Sequence, residues 1–98
     1  MKIEWTEKAV RDLDEAVGYV AEHDQDAAER MLTAIFVGVE LLEENPELGQ
    51  VVMDLEPAGR FRHVVRGKHR IIYEVSNDLI CVMRVWDARR DPGTFEAG

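Results

Sequence analysis

The sequence predicts a small two-layer α+β domain in which one helical hairpin packs against one antiparallel sheet. Three observations lead to this prediction. Two adjoining stretches space their apolar residues as helices do, three later stretches are rich in β-branched and aromatic residues, and a short alternating stretch opens the chain. The predicted order is β-α-α-β-β-β. The chain has 98 residues, without an internal repeat or a linker, so residues 1–98 are expected to form a single domain.

The first half of the chain carries the helical signals. Residues 2–5 alternate polar and apolar side chains, and Thr6 then offers a hydroxyl as the N-cap of a helix from residue 7 to about residue 23. Residues 24–26 end this helix and cap a second one over roughly residues 27–44. The second helix is apolar over a wide arc, which indicates contacts on more than one side.

The second half carries the strand signals. Strands are predicted over residues 60–65, 70–75 and 79–86, joined by three-residue turns at 66–68 and 76–78. Alternation then gives a core face that includes Tyr73, Cys81 and Met83, onto which Leu13 and Phe36 are expected to pack from the helices. The other face mixes arginines with apolar residues, and an apolar face of this kind is expected to be covered by a partner. Its members are Arg62, Val64, Arg66, Arg70, Ile72, Ile80, Val82, Arg84 and Trp86.

Composition excludes several classes of protein. The only cysteine, Cys81, cannot form an intramolecular disulfide, and three scattered histidines fit no zinc spacing. No cofactor or metal is therefore expected. The longest apolar stretch, residues 31–39, is far shorter than the ~20 residues that cross a bilayer. The first residues do not resemble a signal peptide, so a cytoplasmic protein is expected.

Charge is divided unevenly along the chain. The net charge is −8, but residues 1–50 carry −9 and residues 51–98 carry +1. Bases are concentrated between residues 60 and 90. This distribution indicates either solvated helix faces beside ordinary strand arginines, or a local basic surface that meets an anionic partner.

Four segments of the chain together form a recognisable pattern: RFRHVVRGKHRIIYEV at residues 60–75, residues 80–85, DARRDP at residues 87–92 and ENPELG at residues 44–49. With these segments the chain resembles the RelE/ParE superfamily of bacterial toxins, and more closely its ParE branch. The resemblance implies a β-α-α-β-β-β toxin fold and membership of a type II toxin–antitoxin pair. Such toxins inhibit growth, are associated with plasmid stabilisation and are neutralised by a cognate antitoxin in a hetero-oligomer.

The superfamily offers two activities. RelE-like members cut messenger RNA in the ribosome without a metal, whereas ParE-like members block DNA gyrase and are not hydrolases. In the first case the candidate catalytic residues are Arg62, His63, Arg70, Arg89 and Arg90, although His63 is also readily interpreted as a packed strand residue.

The ParE-like activity is favoured, so the chain is not expected to be an enzyme. Phe95 stands where RelE-like nucleases have a catalytic tyrosine, and the overall charge opposes approach to RNA. A member that has lost toxicity and only binds its antitoxin is a third alternative. The residues expected to bind the antitoxin or the target are Arg62, Arg66, Arg70, Ile72, Arg84, Trp86, Arg89 and Arg90.

Overall fold

The structure, a computed structural model, describes residues 1–55 and 57–88. These residues form two helices and five strands. In chain order the elements are β1 (Lys2–Trp5), α1 (Glu7–Ala21), α2 (Gln25–Glu44), β2 (Gln50–Val51), β3 (Phe61–Arg66), β4 (His69–Ser76) and β5 (Leu79–Asp87). No helix among the described residues is both long and apolar enough to span a membrane.

The five strands form one mixed sheet in the order β1-β5-β4-β3-β2. β1 runs parallel to β5, and the other neighbouring strands are antiparallel. Both helices pack on one face of this sheet. The predicted α+β fold with a helical hairpin on a sheet is therefore confirmed. The sheet is mixed and not wholly antiparallel as predicted, because β1 pairs in parallel with β5 at the edge, and the two-residue strand β2 is an addition that the sequence did not indicate.

N-caps hold both helices at their starts, Thr6 as predicted and Asp24 from the predicted capping segment 24–26. The side chain of Thr6 accepts a hydrogen bond from the Ala9 amide at 3.0 Å, and that of Asp24 accepts one from the Ala27 amide at 3.0 Å. The Thr6 hydroxyl also donates to the Met83 carbonyl at 2.8 Å. The cap of α1 is thus tied to β5 across almost the whole length of the chain.

Two apolar clusters lie on opposite faces of the sheet. The cluster beneath the helices contains Ala9, Leu13, Ile35, Val39, Leu42, Val64, Ile71, Tyr73, Ile80, Val82 and Val85. The cluster on the other face contains Phe61, Ile72, Met83 and Trp86, and Val52 and Leu55 lie over it. We call residues 52–55 the covering segment, because Val52 and Leu55 pack over Ile72 and Trp86, two residues that the sequence analysis expected a partner to cover.

The turn between β3 and β4 explains why the predicted faces differ from the observed ones. It comprises residues 67 and 68 alone, so that Arg66 pairs with His69, whereas a three-residue turn would pair Val65 with His69. Gly67 has φ +60, a conformation that favours glycine. Because side chains alternate along a strand, a shift of one residue moves every side chain of β3 to the other face relative to β4.

The prediction that Arg62, Val64 and Arg66 share a face with Arg70 and Ile72 was therefore wrong. Val64 lies in the cluster beneath the helices, whereas Ile72 lies in the cluster on the opposite face. Arg62 pairs with Tyr73, which belongs to the cluster beneath the helices, so Arg62 lies on the helix side as well.

The faces predicted for the first half of β5 were also wrong. The turn at residues 77–78 has two residues, and Val82 consequently pairs with Tyr73 on the helix side. Met83 and Cys81 pack on the other face. A bulge at Met83 then shifts the register by one residue, so Val85 and Trp86 return to the faces on which they were predicted.

Phe36 does not pack onto the sheet as predicted. Its side chain is 42% exposed, and its ring meets that of Trp5 edge to face at a centroid distance of 5.8 Å. The neighbouring residue, Ile35, is fully buried and occupies the position in the core that was expected of Phe36.

Replacing Ile35 with alanine is expected to lower the free energy of unfolding by about 2–5 kcal/mol, because it opens a cavity in the core. The same replacement at Phe36 is expected to cost about 1–2 kcal/mol, because a half-exposed ring loses part of its burial and one aromatic contact. Urea denaturation of the two variants measures the difference. Equal losses for the two variants would contradict the placement of Phe36 at the surface.

Candidate functional site

The arginines predicted to form one binding surface are distributed over both faces of the sheet. Arg62 pairs with Tyr73, and the pairing of Arg66 with His69 puts Arg66 on the same, helix-facing side. Arg70 pairs with Trp86 on the opposite face. The structure therefore separates Arg62 and Arg66 from Arg70.

Arg62 and Tyr73 hold the connection between α2 and β2. The Tyr73 hydroxyl donates to the Pro46 carbonyl at 2.8 Å and accepts a hydrogen bond from the Gly49 amide at 2.9 Å. Arg62 Nη1 donates to the Gly49 carbonyl at 2.8 Å and to the Glu47 carbonyl at 3.4 Å. The connection is thus bound to adjacent positions on β3 and β4.

The approach of this connection to the sheet requires a glycine. A Cβ atom at Gly49 would lie 2.6 Å from the Tyr73 hydroxyl and 2.6 Å from the His63 carbonyl oxygen. Burial is the largest cause that raises the pKa of Tyr73, and the hydrogen bond from Gly49 partly opposes it. The Tyr73 hydroxyl therefore stays protonated and can donate its hydrogen bond to the Pro46 carbonyl.

Arg84 is paired within the fold. Its Nε donates to Asp12 Oδ2 at 2.8 Å and its Nη2 donates to Asp12 Oδ1 at 3.0 Å. The same carboxylate accepts a hydrogen bond from the Val85 amide at 3.0 Å. Val85 lies on the part of β5 that extends beyond its pairing with β1. The guanidinium also lies over the ring of Trp86, 4.9 Å from its centroid. This network joins α1 to the edge of β5.

Arg66 lies across α2 at Gly38. A Cβ atom at Gly38 would come within 2.6 Å of Arg66 Cγ, so the absence of a side chain there makes room for the arginine. Arg66 Nη1 donates to the carbonyl of the preceding residue, Val65, at 2.9 Å. The guanidinium therefore covers part of the outer edge of β3.

His63 and Arg70 are the only pair from the predicted catalytic set that the described residues bring onto one face. His63 pairs with Ile72, next to the position of Arg70, and burial followed by the charge of Arg70 lowers the pKa of His63. His63 Nδ1 and Arg70 Nε have no hydrogen-bond partner within residues 1–55 and 57–88. Arg70 Nη2 lies 3.5 Å from the Ala88 carbonyl.

Ile72 and Trp86, predicted as apolar contacts for a partner, are covered by the chain itself. Ile72 is fully buried and Trp86 is 2% exposed, and the covering segment contributes Val52 and Leu55 to the same cluster. A partner would reach these two side chains only if that segment moved.

Three residues named in the sequence analysis, Arg89, Arg90 and Phe95, lie outside the described residues. Their place relative to His63 and Arg70 is therefore not part of the site as described.

Sequence reasoning missed three residues that organise this region, Asp12, Gly38 and Gly49. Gly49 had a local signal, since it ends a turn sequence that begins at Pro46. Asp12 and Gly38 had none, because their partners lie on distant strands.

Replacing Tyr73 with phenylalanine is expected to lower the free energy of unfolding by about 1–3 kcal/mol. It leaves the buried Gly49 amide without its acceptor and removes the donor to Pro46. Thermal or urea denaturation measures the loss. Tyr19→Phe is the matched control, because Tyr19 is 70% exposed and its replacement is expected to leave stability unchanged. Equal stability of the Tyr73 and Tyr19 variants would contradict this role of the hydroxyl.

Replacing Asp12 with asparagine is expected to lower the free energy of unfolding by about 1.5–3 kcal/mol, because charge-assisted hydrogen bonds to Arg84 are lost in a place where both side chains are mostly buried. Asp14→Asn, on the exposed side of α1, serves as the control and is expected to change stability by less than about 0.5 kcal/mol. Denaturation curves that coincide for the two variants would show that the Arg84 pair adds nothing to the fold.

Comparisons with known proteins point to one family. The family described as the ParE toxin of the type II toxin–antitoxin system, parDE, matches residues 3–92. A curated protein of Sinorhizobium fredii (strain NBRC 101917 / NGR234), described as "Putative toxin Y4kP", is 41% identical over 49 residues. That alignment covers 50% of this chain and 51% of the relative, so it spans about half the length of each protein.

A solved structure described as "Chromosomal ParDE TA system from P. aeruginosa" has the same fold. It matches with a TM-score of 0.75 over 91% of this chain and 97% of that chain, at 18% sequence identity. The family match extends over almost the whole domain, from β1 past the end of β5. The chain therefore belongs to the family of ParE toxins of type II toxin–antitoxin systems.

Proposed function

We propose that this chain is a toxin that a cognate antitoxin neutralises and that acts by inhibiting DNA gyrase without hydrolysing a nucleic acid. The observation that carries the proposal is the match of residues 3–92 to the ParE toxin family. The matched solved structure, whose description names a ParDE system, supports an antitoxin as the partner of this chain.

The separation of the arginines supports a non-hydrolytic action. Cleavage of RNA at its 2′-hydroxyl needs a base, an acid and a positive group at the phosphate. Arg62 and His63 follow each other on β3 and point to opposite faces, and Arg62 is engaged with the Gly49 carbonyl. Of the predicted catalytic residues that the structure describes, only His63 and Arg70 share a face of the sheet.

Of the predicted contact residues, Arg66 and Arg70 are the best suited to meet a partner. Both are partly exposed, and neither forms an ion pair with a carboxylate among the described residues. Arg84, in contrast, is paired with Asp12. We therefore assign the partner contacts to Arg66 and Arg70 and a structural role to Arg84.

Induction of the chain is expected to produce filamentous, SOS-induced cells in which messenger RNA stays intact. The purified protein is expected to inhibit gyrase supercoiling, and co-expression of the antitoxin is expected to restore growth. Supercoiling assays and primer extension on a translated transcript measure the two activities side by side.

Arg70→Ala is expected to weaken gyrase inhibition about tenfold, as the loss of one charged contact does. Arg30→Ala is the matched control, because Arg30 is an exposed arginine on α2, away from the sheet. Discrete cuts in the transcript that disappear in Arg70→Ala, with gyrase unaffected, would establish the ribonuclease alternative. A chain that binds the antitoxin and inhibits neither gyrase nor translation would be the non-toxic alternative.

A further inference from the structure

The first strand, β1, has a neighbouring strand on one side only. It ends the sheet next to β5, and within residues 1–55 and 57–88 no strand pairs with its outer edge. The Lys2 amide donates to the Asp78 carbonyl at 2.9 Å, so the backbone groups of Lys2 face β5. Because these groups alternate in direction along a strand, the amides and carbonyls of Ile3 and Trp5 face away from the sheet. They are free to pair with a further strand.

Exposed apolar side chains lie beside this edge. Met1, Val10 and Phe36 are each exposed by more than a third of their surface. The Phe36 ring contacts that of Trp5, and Trp5 and Val10 line the same depression, of about 500 Å³. A second molecule that covered the edge would remove this apolar surface from water.

The charges at this edge are nearly balanced, unlike those of the whole chain. Residues 1–11 contain three bases and two acids, although the net charge of the chain is −8. Ile3 and Trp5 pack against the cluster beneath the helices, so Lys2 and Glu4 project from the opposite face of the sheet. Both of these charged side chains are exposed. A strand that adds to β1 therefore meets one positive and one negative charge on that face.

Two copies of β1 match each other in one antiparallel register. Residues that face the partner strand exchange their hydrogen bonds in pairs, so Ile3 can lie opposite Ile3 or opposite Trp5 of a second copy. With Ile3 opposite Ile3, each Lys2 lies opposite a Glu4. With Ile3 opposite Trp5, the two Glu4 carboxylates face each other, which is destabilising. Only the first register pairs unlike charges on both sides of the centre.

We propose that the outer edge of β1 binds the same edge of a second copy of this chain, antiparallel and with the two Ile3 residues opposite each other about a twofold axis. The Ile3 amide of each copy donates to the Ile3 carbonyl of the other, and the Trp5 amide of each donates to the Met1 carbonyl of the other. The two sheets become one continuous sheet. Each Met1 side chain then lies beside Trp5 of the other copy, where a thioether makes a favourable contact with an aromatic ring.

This interface goes beyond the proposed function and does not depend on it. β5 and β4 lie between β1 and β3, so a dimer through β1 leaves Arg66 on β3 away from the contact. The argument for a second copy is that Lys2 and Glu4, two residues apart, complement themselves when the strand is turned around. An unrelated partner would need to carry that spacing of charges in its own sequence.

Exchange of the two charges tests the register. Lys2→Glu and Glu4→Lys each place like charges opposite one another at both ends of the symmetric contact, and each is expected to raise the dissociation constant of the dimer about tenfold. The double variant Lys2→Glu/Glu4→Lys restores unlike pairs and the original net charge. We expect it to dimerise within about twofold of the unmodified chain. Glu40→Lys, which makes the same charge change on the exposed side of α2, is the matched control and is expected to leave dimerisation unchanged. Analytical ultracentrifugation over a series of protein concentrations measures all of these constants.

Cross-linking of the unmodified protein identifies the contact without any substitution. A carbodiimide joins the Lys2 amine to the Glu4 carboxyl group as an amide, and a mixture of isotope-labelled and unlabelled protein separates links between copies from links within one copy. We expect Lys2–Glu4 links of mixed isotope composition.

Three results would overturn the dimer. They are a chain that remains a monomer at about 100 μM, a double variant that associates no better than the single ones, and Lys2–Glu4 links that are all within one copy. Amide exchange tests the other occupant of the edge. If the Ile3 amide exchanges more slowly only when the antitoxin is added, the edge binds the antitoxin and the second copy is wrong.

Discussion

The Tyr73 hydroxyl fixes the place where the chain leaves the helical layer. Its bonds to Pro46 and Gly49 hold the end of the α2 connection against the middle of the sheet. From this point the chain forms β2 at the edge of β3 and continues onto the far face, where Leu55 is buried. Together with the bonds from Arg62 to the same connection, this attachment sets the position of β2 and brings Val52 and Leu55 over the second apolar cluster.

The sequence was sufficient for every element whose signal is local. The Thr6 N-cap was predicted, a second cap was predicted within residues 24–26 and is formed by Asp24, and the helix ends were accurate to about two residues. The faces of the sheet were not predictable in this way, because they depend on whether each hairpin turn has two residues or three. The turn sequences RGK at residues 66–68 and SND at residues 76–78 are compatible with both lengths. A difference of one residue in the turn moves every side chain of the next strand to the opposite face of the sheet.

The candidate site was less predictable than the fold, because its partners are far apart in the chain. The sequence predicted a set of arginines as candidate contact residues, but it did not predict what surrounds each of them. Arg84 lies 72 residues from the carboxylate that binds it, and Arg66 depends on a glycine in a helix. A single sequence does not show that Arg66 on β3 packs against Gly38 on α2. It therefore gives no basis for separating structural arginines from those that face a partner.

Burial of β4 from both sides has a consequence for cooperativity. Ile71, Ile72 and Tyr73 are consecutive and fully buried, although they belong alternately to the two apolar clusters. Neither cluster can melt without exposing one side of this strand, so the two faces are coupled through its backbone. The middle of β4 therefore opens only when the whole domain unfolds, and its amides report the global stability of the protein.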